Sequence, residues 1–242
     1  MATTARSATL TPTYGERMLD AYIASQPPRI TAGKKLKIPN DFQLSRLVDG
    51  KPNQFSPAAE LTKGRVALFF MPRAFTPTCS NQHLPAVVEA YPEFRKRDIK
   101  VFVMSPDNRD VMSAWFRAHD EKGIKKGAVA LLTDNCTENK CSDTAPLQQA
   151  KELLKAPSAF MIEQIPDYLG DLGRLLGIAT KKCEDRHLGL VFPRGVALLH
   201  KGLVLDARFE QDPGKCETSH PSKLLDDYER IYKQAQEMHW IE

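Results

Sequence analysis

Residues 65–80 read Arg-Val-Ala-Leu-Phe-Phe-Met-Pro-Arg-Ala-Phe-Thr-Pro-Thr-Cys-Ser, and this stretch decides the fold. Arg65 to Met71 is an apolar run bounded by Gly64 and Pro72, the pattern of a buried strand. From Cys79 the period changes, with Leu84, Val87, Val88, Tyr91 and Phe94 recurring as one helical face. Cys79 thus follows a strand closely and opens a helix. Unpaired backbone N–H groups and the positive end of the helix dipole favour a negative charge there. The thiol is therefore expected to ionise below its ordinary value of about 8.5.

Outward from this stretch, strands alternate with helices. Asp41 to Val48 reads as a first strand, Ile99 to Ser105 as an apolar strand, Arg109 to His119 as a helix and Ala128 to Asp134 as a further strand. Val196 to Leu199 and Leu203 to Ala207 flank His200-Lys201-Gly202, a hairpin signal. The closing helix carries Leu224, Leu225, Tyr228, Ile231, Tyr232 and Ala235 after the candidate caps Ser219 and Ser222. This order predicts an α/β domain with a mixed β-sheet flanked by helices on both faces, over 32–242. An insertion of about 30 residues, about 135–167, interrupts it and holds a helical piece, Thr144 to Lys155, and a Pro-flanked segment. Residues 1–31 form an N-terminal extension, acid-free and rich in Ser and Thr up to Gly15, which reads as a disordered tail or a weak targeting segment. Gly15 to Ser25 has the spacing of a short docked helix.

Composition narrows the function classes. With 242 residues and 42% hydrophobic content the chain can bury a sizeable core. Its net charge of +4, from 34 basic and 30 acidic residues, is spread without a dense basic block, which argues against nucleic-acid binding. No apolar run approaches the roughly 18 residues that suggest a membrane span, so no membrane partner is expected. Five irregularly spaced cysteines suit a reducing compartment better than a secreted disulfide framework. The cytoplasm is the expected location, with a mitochondrion or other organelle reached through the N-terminal extension as the alternative. Cys136, Cys141, Cys183 and His187 have the right types for a zinc site but not the short paired spacing of common zinc modules, and no metal is expected.

Pro72, Thr76 and Cys79 make the pattern P-x-x-x-T-x-x-C, within Ala74-Phe-Thr-Pro-Thr-Cys-Ser80 and followed by His83-Leu84-Pro85. This string resembles the active-site signature of peroxiredoxins, and its longer form that of the type II, or peroxiredoxin-five-like, subfamily. Val111 to Trp115 is similar to the family's helix after its second core strand. Leu131-Leu-Thr-Asp134 is similar to the start of its third strand, Leu175-Leu-Gly177 to its leucine-glycine helix end, and Arg194 to Leu199 to its arginine-bearing strand. Asp212 to Ser219 resembles the segment before its last helix. The likeness covers roughly 32–134 and 168–236 and implies a thioredoxin-like fold.

What the resemblance implies is a thiol-dependent peroxidase that reduces hydrogen peroxide and alkyl hydroperoxides without a cofactor, serving antioxidant defence and cell redox homeostasis. Cys79 would be oxidised to a sulfenic acid, Thr76 would offer its hydroxyl to the peroxide, Pro72 would screen the thiolate from water, and Arg194 would bind the thiolate and transition state through its fork of donors. Lowering the thiol pKa to about 6 would raise the thiolate fraction at neutral pH only roughly thirtyfold, about 2 kcal/mol. Most of the acceleration must then come from groups that hold both oxygens as charge moves between them. His83 reads as a packing or hydrogen-bonding residue. Arg73 departs from the family's usual glycine, which leaves two effects open: a cation beside the thiol, or a narrowed entrance.

The family's resolving positions are unfilled here. Met104 stands at that of the plant branch and Thr218 at that of the animal branch. Cys216 is the first candidate and Cys183 the second, while a one-cysteine cycle resolved by glutathione or glutaredoxin is an equal contender. The implied reductant is thioredoxin or glutathione with glutaredoxin, and the implied assembly is a homodimer. The alternative function is a redox-sensing or chaperone-like thioredoxin-fold module with little turnover. A thiol–disulfide oxidoreductase is disfavoured because no Cys-x-x-Cys occurs.

Overall fold

The computed structural model describes residues 30–48, 50–120, 159–179, 184–185 and 189–242. The apolar run predicted as a buried strand is β3 (Arg65–Phe70), the centre of a five-stranded sheet ordered β5-β4-β3-β8-β9. β3 runs parallel to β4 (Ile99–Ser105) and antiparallel to β8 (Gly195–His200). β5 (Glu163–Pro166) adds parallel to β4, and β9 (Leu203–Phe209) antiparallel to β8. The mixed sheet and thioredoxin-like architecture are thus as expected. The β8–β9 turn places Lys201 and Gly202 at positive φ, the twist that suits a two-residue hairpin.

Alternate residues of β3 feed two cores. Ala67 and Phe69 pack with α2 (Leu84–Lys96), α3 (Arg109–Asp120), α5 (Pro221–Asp226) and α6 (Tyr228–Glu237). Val66, Leu68 and Phe70 pack on the other face with α1 (Pro57–Leu61) and α4 (Asp171–Leu175), beside the hairpin of β1 (Leu44–Val48) and β2 (Lys51–Phe55). Both faces of the sheet are therefore covered, which explains why β3 and β4 read as nearly continuous apolar runs. A second small hairpin joins β6 (Glu184–Asp185) to β7 (Gly189–Leu190).

Two readings of the sequence need correction. The place beside β4 belongs to β5, whose residues fall inside the segment expected to be an insertion, so the C-terminal end of that segment is part of the core sheet. Among the described residues β5 is an edge strand, and there the missing N–H of Pro166 removes no ladder bond on the outer side. Arg46 of β1 pairs with Glu163 and fastens this edge. The closing helix is divided at Asp227, and its cap is His220, whose side chain accepts from Ser222 N–H ahead of Pro221. The candidate cap Ser219 is buried, its hydroxyl committed to Glu210. The expected strand Ala128–Asp134, the helical pieces Gly15–Ser25 and Thr144–Lys155, and Cys136, Cys141, Cys183 and His187 lie outside the described residues.

Candidate active site

Parallel and antiparallel pairing together bring the two halves of the site into contact. β3 delivers the Met71–Thr78 loop from its carboxyl end, while β8 runs the other way, so Arg194, just before it, arrives at the same end. Gly195 allows this approach: a Cβ there would lie 2.5 Å from the Arg208 carbonyl oxygen. The helix opened by Cys79 begins with a wide turn over Cys79–His83, in which Leu84 N–H reaches the Cys79 carbonyl. Pro85 has no N–H with which to continue the narrower ladder, and such widened turns recur at functional sites. The turn directs both Cys79 and His83 into the interior, where each is fully buried.

Arg194 binds both of them. Its Nη2 donates to Cys79 Sγ at 3.4 Å, its Nη1 to His83 Nδ1 at 3.1 Å, and its Nε and Nη2 to the Pro213 carbonyl at 3.0 and 2.9 Å. Arg194 is 2% exposed, so these bonds replace the water its guanidinium has lost. They engage four of its five N–H groups, and among the described residues one on Nη1 has no partner.

His83 must be neutral, since Arg194 can only donate and Nδ1 must therefore accept. Burial, and then the adjacent Arg194 charge, push its imidazole down to about 3. The proton sits on Nε2, near enough to the Ser219 backbone to be favoured by it but without a partner in hydrogen-bonding geometry. Phe69 packs edge-on against the ring at 5.7 Å.

The loop between β3 and Cys79 is held from several sides. Thr76 Oγ1 donates to the Arg73 carbonyl at 2.9 Å, which leaves its lone pairs to accept from a donor in the pocket. Pro72, buried, accepts from Phe192 N–H through its carbonyl. Arg73 is held by two acceptors: its Nε pairs with Asp107 at 3.2 Å and its Nη1 donates to the Leu190 carbonyl at 3.0 Å. Asp107 also accepts from Ala74 N–H at 2.7 Å and from the Ser105 hydroxyl at 2.5 Å. Arg73 is thus a brace between the loop, the end of β4 and the β6–β7 hairpin. Trp115 Nε1 donates to Ser80 Oγ at 2.9 Å and ties α3 to the start of the cysteine helix.

The chain between β9 and α5 closes over Arg194. It supplies the Pro213 carbonyl, accepts from Thr78 Oγ1 at the Gly214 carbonyl at 3.0 Å, and carries Cys216. Cys216 is half-buried and close enough to Arg194 and Cys79 to feel both; burial pushes its thiol up, while Arg194 pulls the other way. Cys79 and Cys216 are free thiols. Among the described residues no cluster of His, Cys, Asp or Glu could hold a metal ion.

Both the sequence and the fold of this chain are matched among known proteins. The family model described as Redoxin matches residues 31–225. Peroxiredoxin AHP1 of Chaetomium thermophilum is 32% identical over 101 residues, 41% of this chain and 57% of that protein. Peroxiredoxin-2E-2, chloroplastic, of Oryza sativa is 36% identical over 104 residues, 38% of this chain and 45% of that protein. The chain belongs to the redoxin family, as a thioredoxin-fold peroxiredoxin. It spans about half the length of the curated relatives it matches. Among solved structures, reduced Prx3 in complex with H2O2 from Vibrio vulnificus superposes with a TM-score of 0.59, covering 81% of this chain and 98% of that one at 21% identity, a likeness of fold.

Within this peroxiredoxin, Pro72, Thr76, Cys79 and Arg194 fall on one site, and Cys216 lies on the chain that roofs it. Cys183 lies outside the described residues. Sequence reasoning missed two contributors, the Pro213 carbonyl and the Asp107 carboxylate, and read His83 as a packing or hydrogen-bonding residue without its partner Arg194. The His in His83-Leu84-Pro85 was the available signal, four residues after Cys79 and so on the same side of the helix.

Proposed function

We propose that this protein is a thiol peroxidase that reduces hydrogen peroxide and small organic hydroperoxides at Cys79. The observation that carries this reading is the guanidinium of Arg194, itself buried, held 3.4 Å from Cys79 Sγ by bonds to His83 and Pro213. The Cys79 thiolate attacks one peroxide oxygen in line with the O–O bond. The S–O bond forms as the O–O bond breaks; the departing hydroxide or alkoxide takes the proton of the attacked oxygen to leave as water or alcohol, and the Cys79 sulfenate takes up a proton from solvent to become the sulfenic acid. Arg194 stabilises the negative charge as it moves from sulfur to the leaving oxygen, using Nη2 and the remaining N–H of Nη1. Thr76 Oγ1 accepts from the peroxide O–H and orients it, and Pro72 keeps water from the sulfur.

The sulfenic acid is then resolved by Cys216, whose thiol attacks Cys79 Sγ, forms a disulfide and releases water. Its position on the loop over Arg194 supports this route. A dithiol reductant such as thioredoxin, or glutathione with glutaredoxin, restores both thiols, and a homodimer is the proposed assembly. Among the described residues no helix is long and apolar enough to cross a membrane. The test is peroxide consumption by the reduced protein with each reductant in turn. Turnover by wild type and none by Cys79→Ser supports the reading, and absence of turnover with every donor opposes it.

A further inference from the structure

The segment between β9 and α5 is gathered on one side chain. Glu210 Oε1 accepts from Glu217 N–H at 2.8 Å, Ser219 N–H at 2.7 Å and the Ser219 hydroxyl at 2.9 Å. Its own N–H donates to the Arg194 carbonyl at 2.9 Å, so the carboxylate is anchored beside the arginine's backbone. The segment so closed contains Pro213, whose carbonyl takes two of the Arg194 N–H groups, and Gly214, whose carbonyl accepts from Thr78. It ends at Ser219, whose backbone lies against the His83 ring that receives Arg194 Nη1. On one flank the guanidinium rests on Pro213, within the segment that Glu210 closes, and on the other on His83, against whose ring lies Ser219, which Glu210 binds.

We propose that Glu210 is a positioning residue for Arg194: by closing the 210–219 segment around one carboxylate oxygen, it aims the guanidinium at Cys79 Sγ and at the peroxide. Residues 211–215 are exposed and have little packing of their own, so hydrogen bonds must hold the segment. Within it Asp212 supplies only short-range support, accepting Gly214 N–H and, through its carbonyl, Lys215 N–H. Burial pushes the Glu210 carboxyl up, but the bonds from Ser219, Glu217 and Thr218 outweigh this and hold it below its ordinary range. It is thus ionised at neutral pH, the form that binds N–H donors most strongly. A displacement of about 1 Å in a catalytic group can cost about a hundredfold in rate.

The inference rests on the peroxidase reading, and two measurements separate the two. The rate of peroxide attack on Cys79 is measured for wild type, Glu210→Ala and Glu210→Gln, each alone and in an Arg194→Met background. Glu210→Ala is expected to slow attack roughly ten- to a hundredfold. Glu210→Gln, which keeps an acceptor oxygen, should recover most of that loss. In the Arg194→Met background the alanine change should alter the rate less than about twofold, because nothing remains to be aimed. Equal slowing in both backgrounds, or no slowing in either, overturns the inference. Should Glu210→Ala not fold, Glu210→Asp, which retracts the carboxylate by one methylene, must show the same dependence on Arg194. The second measurement is the Arg194 Nε–H resonance in nitrogen-15 NMR. It should be resolved and slow to exchange in wild type and averaged in Glu210→Ala, and unchanged protection also refutes the proposal. If wild type does not react with peroxide, the peroxidase reading fails while the resonance still decides the positioning role.

Discussion

Replacing Arg194 by Met keeps the length and apolar bulk of the side chain and removes every donor. Two losses follow, at different places. At the reacting centre the variant lacks the Nη2 group 3.4 Å from Cys79 Sγ and the unpartnered N–H of Nη1. Loss of one well-placed donor costs about a hundred- to a thousandfold in rate, roughly 3–4 kcal/mol. In the folded state the variant leaves the Pro213 carbonyl and His83 Nδ1 without their donor. Pro213 is exposed and water can replace the guanidinium, but His83 is fully buried and its acceptor stays empty, at a cost of about 1–3 kcal/mol in stability. Relief from burying an unshared charge offsets part of this. The rate effect should therefore exceed the stability effect. Stopped-flow fluorescence suits the assay, because Trp115 bonds to Ser80 beside Cys79 and should report its oxidation. The comparison is made at a pH where the rate of each protein has reached its plateau, so that thiolate fraction is equal. If Arg194→Met reacts within threefold of wild type there, the guanidinium does not stabilise the transition state.

Asp167 follows β5 and accepts from Gly173 N–H at 2.7 Å and Leu172 N–H at 3.2 Å, yet burial pushes its carboxyl up to about 7 against the pull of those donors. A carboxyl raised above its unfolded value of about 3.9 stabilises the fold fully below that pH and loses its contribution as pH rises to 7, on the order of 4 kcal/mol in total. Asp167→Asn should flatten the fall of denaturation stability between pH 4 and 7, and an unchanged slope would reject the assignment. Gly195→Ala should destabilise by several kcal/mol and slow peroxide attack, since the new methyl meets the Arg208 carbonyl and Phe209 and must push Arg194 out of place; a variant with normal melting and rate would contradict the close approach. Peptide mapping after one equivalent of peroxide should find Cys79 joined to Cys216. A Cys79 sulfenic acid or glutathione adduct with Cys216 still reduced would show that resolution does not use it.

The legible parts of the fold were those where one residue pattern had one explanation. β3, β4 and β8 are apolar runs buried within the sheet and β9 was marked by the hairpin signal before it, and their bounds in the sequence nearly coincide with those observed. β2, Lys-Pro-Asn-Gln-Phe, is exposed except at Phe55, so no alternation marked it. β5 is four residues ending in proline, a sequence that looks like a loop until its edge position is known. In the site, Cys79 and Arg194 carried a signature, whereas Pro213 acts through its carbonyl, which no residue type encodes. For Arg73 the sequence left open a cation beside the thiol or a narrowed entrance, because its partners Asp107, 34 positions away, and the Leu190 carbonyl are brought to it only by the fold. Glu210 was silent because its partners are backbone N–H groups seven and nine residues on.

The central claim is that Cys79 is the group that peroxide oxidises. The direct measurement is mass spectrometry of the reduced protein after one equivalent of hydrogen peroxide, with a sulfenic-acid trapping reagent present and with Cys216→Ser to prevent resolution. Trapping is expected at Cys79 within seconds, with the other cysteines unmodified and the peroxide consumed in equal amount. Peroxide loss at the wild-type rate in Cys79→Ser, or a Cys79 that remains a free thiol while peroxide disappears, would contradict it.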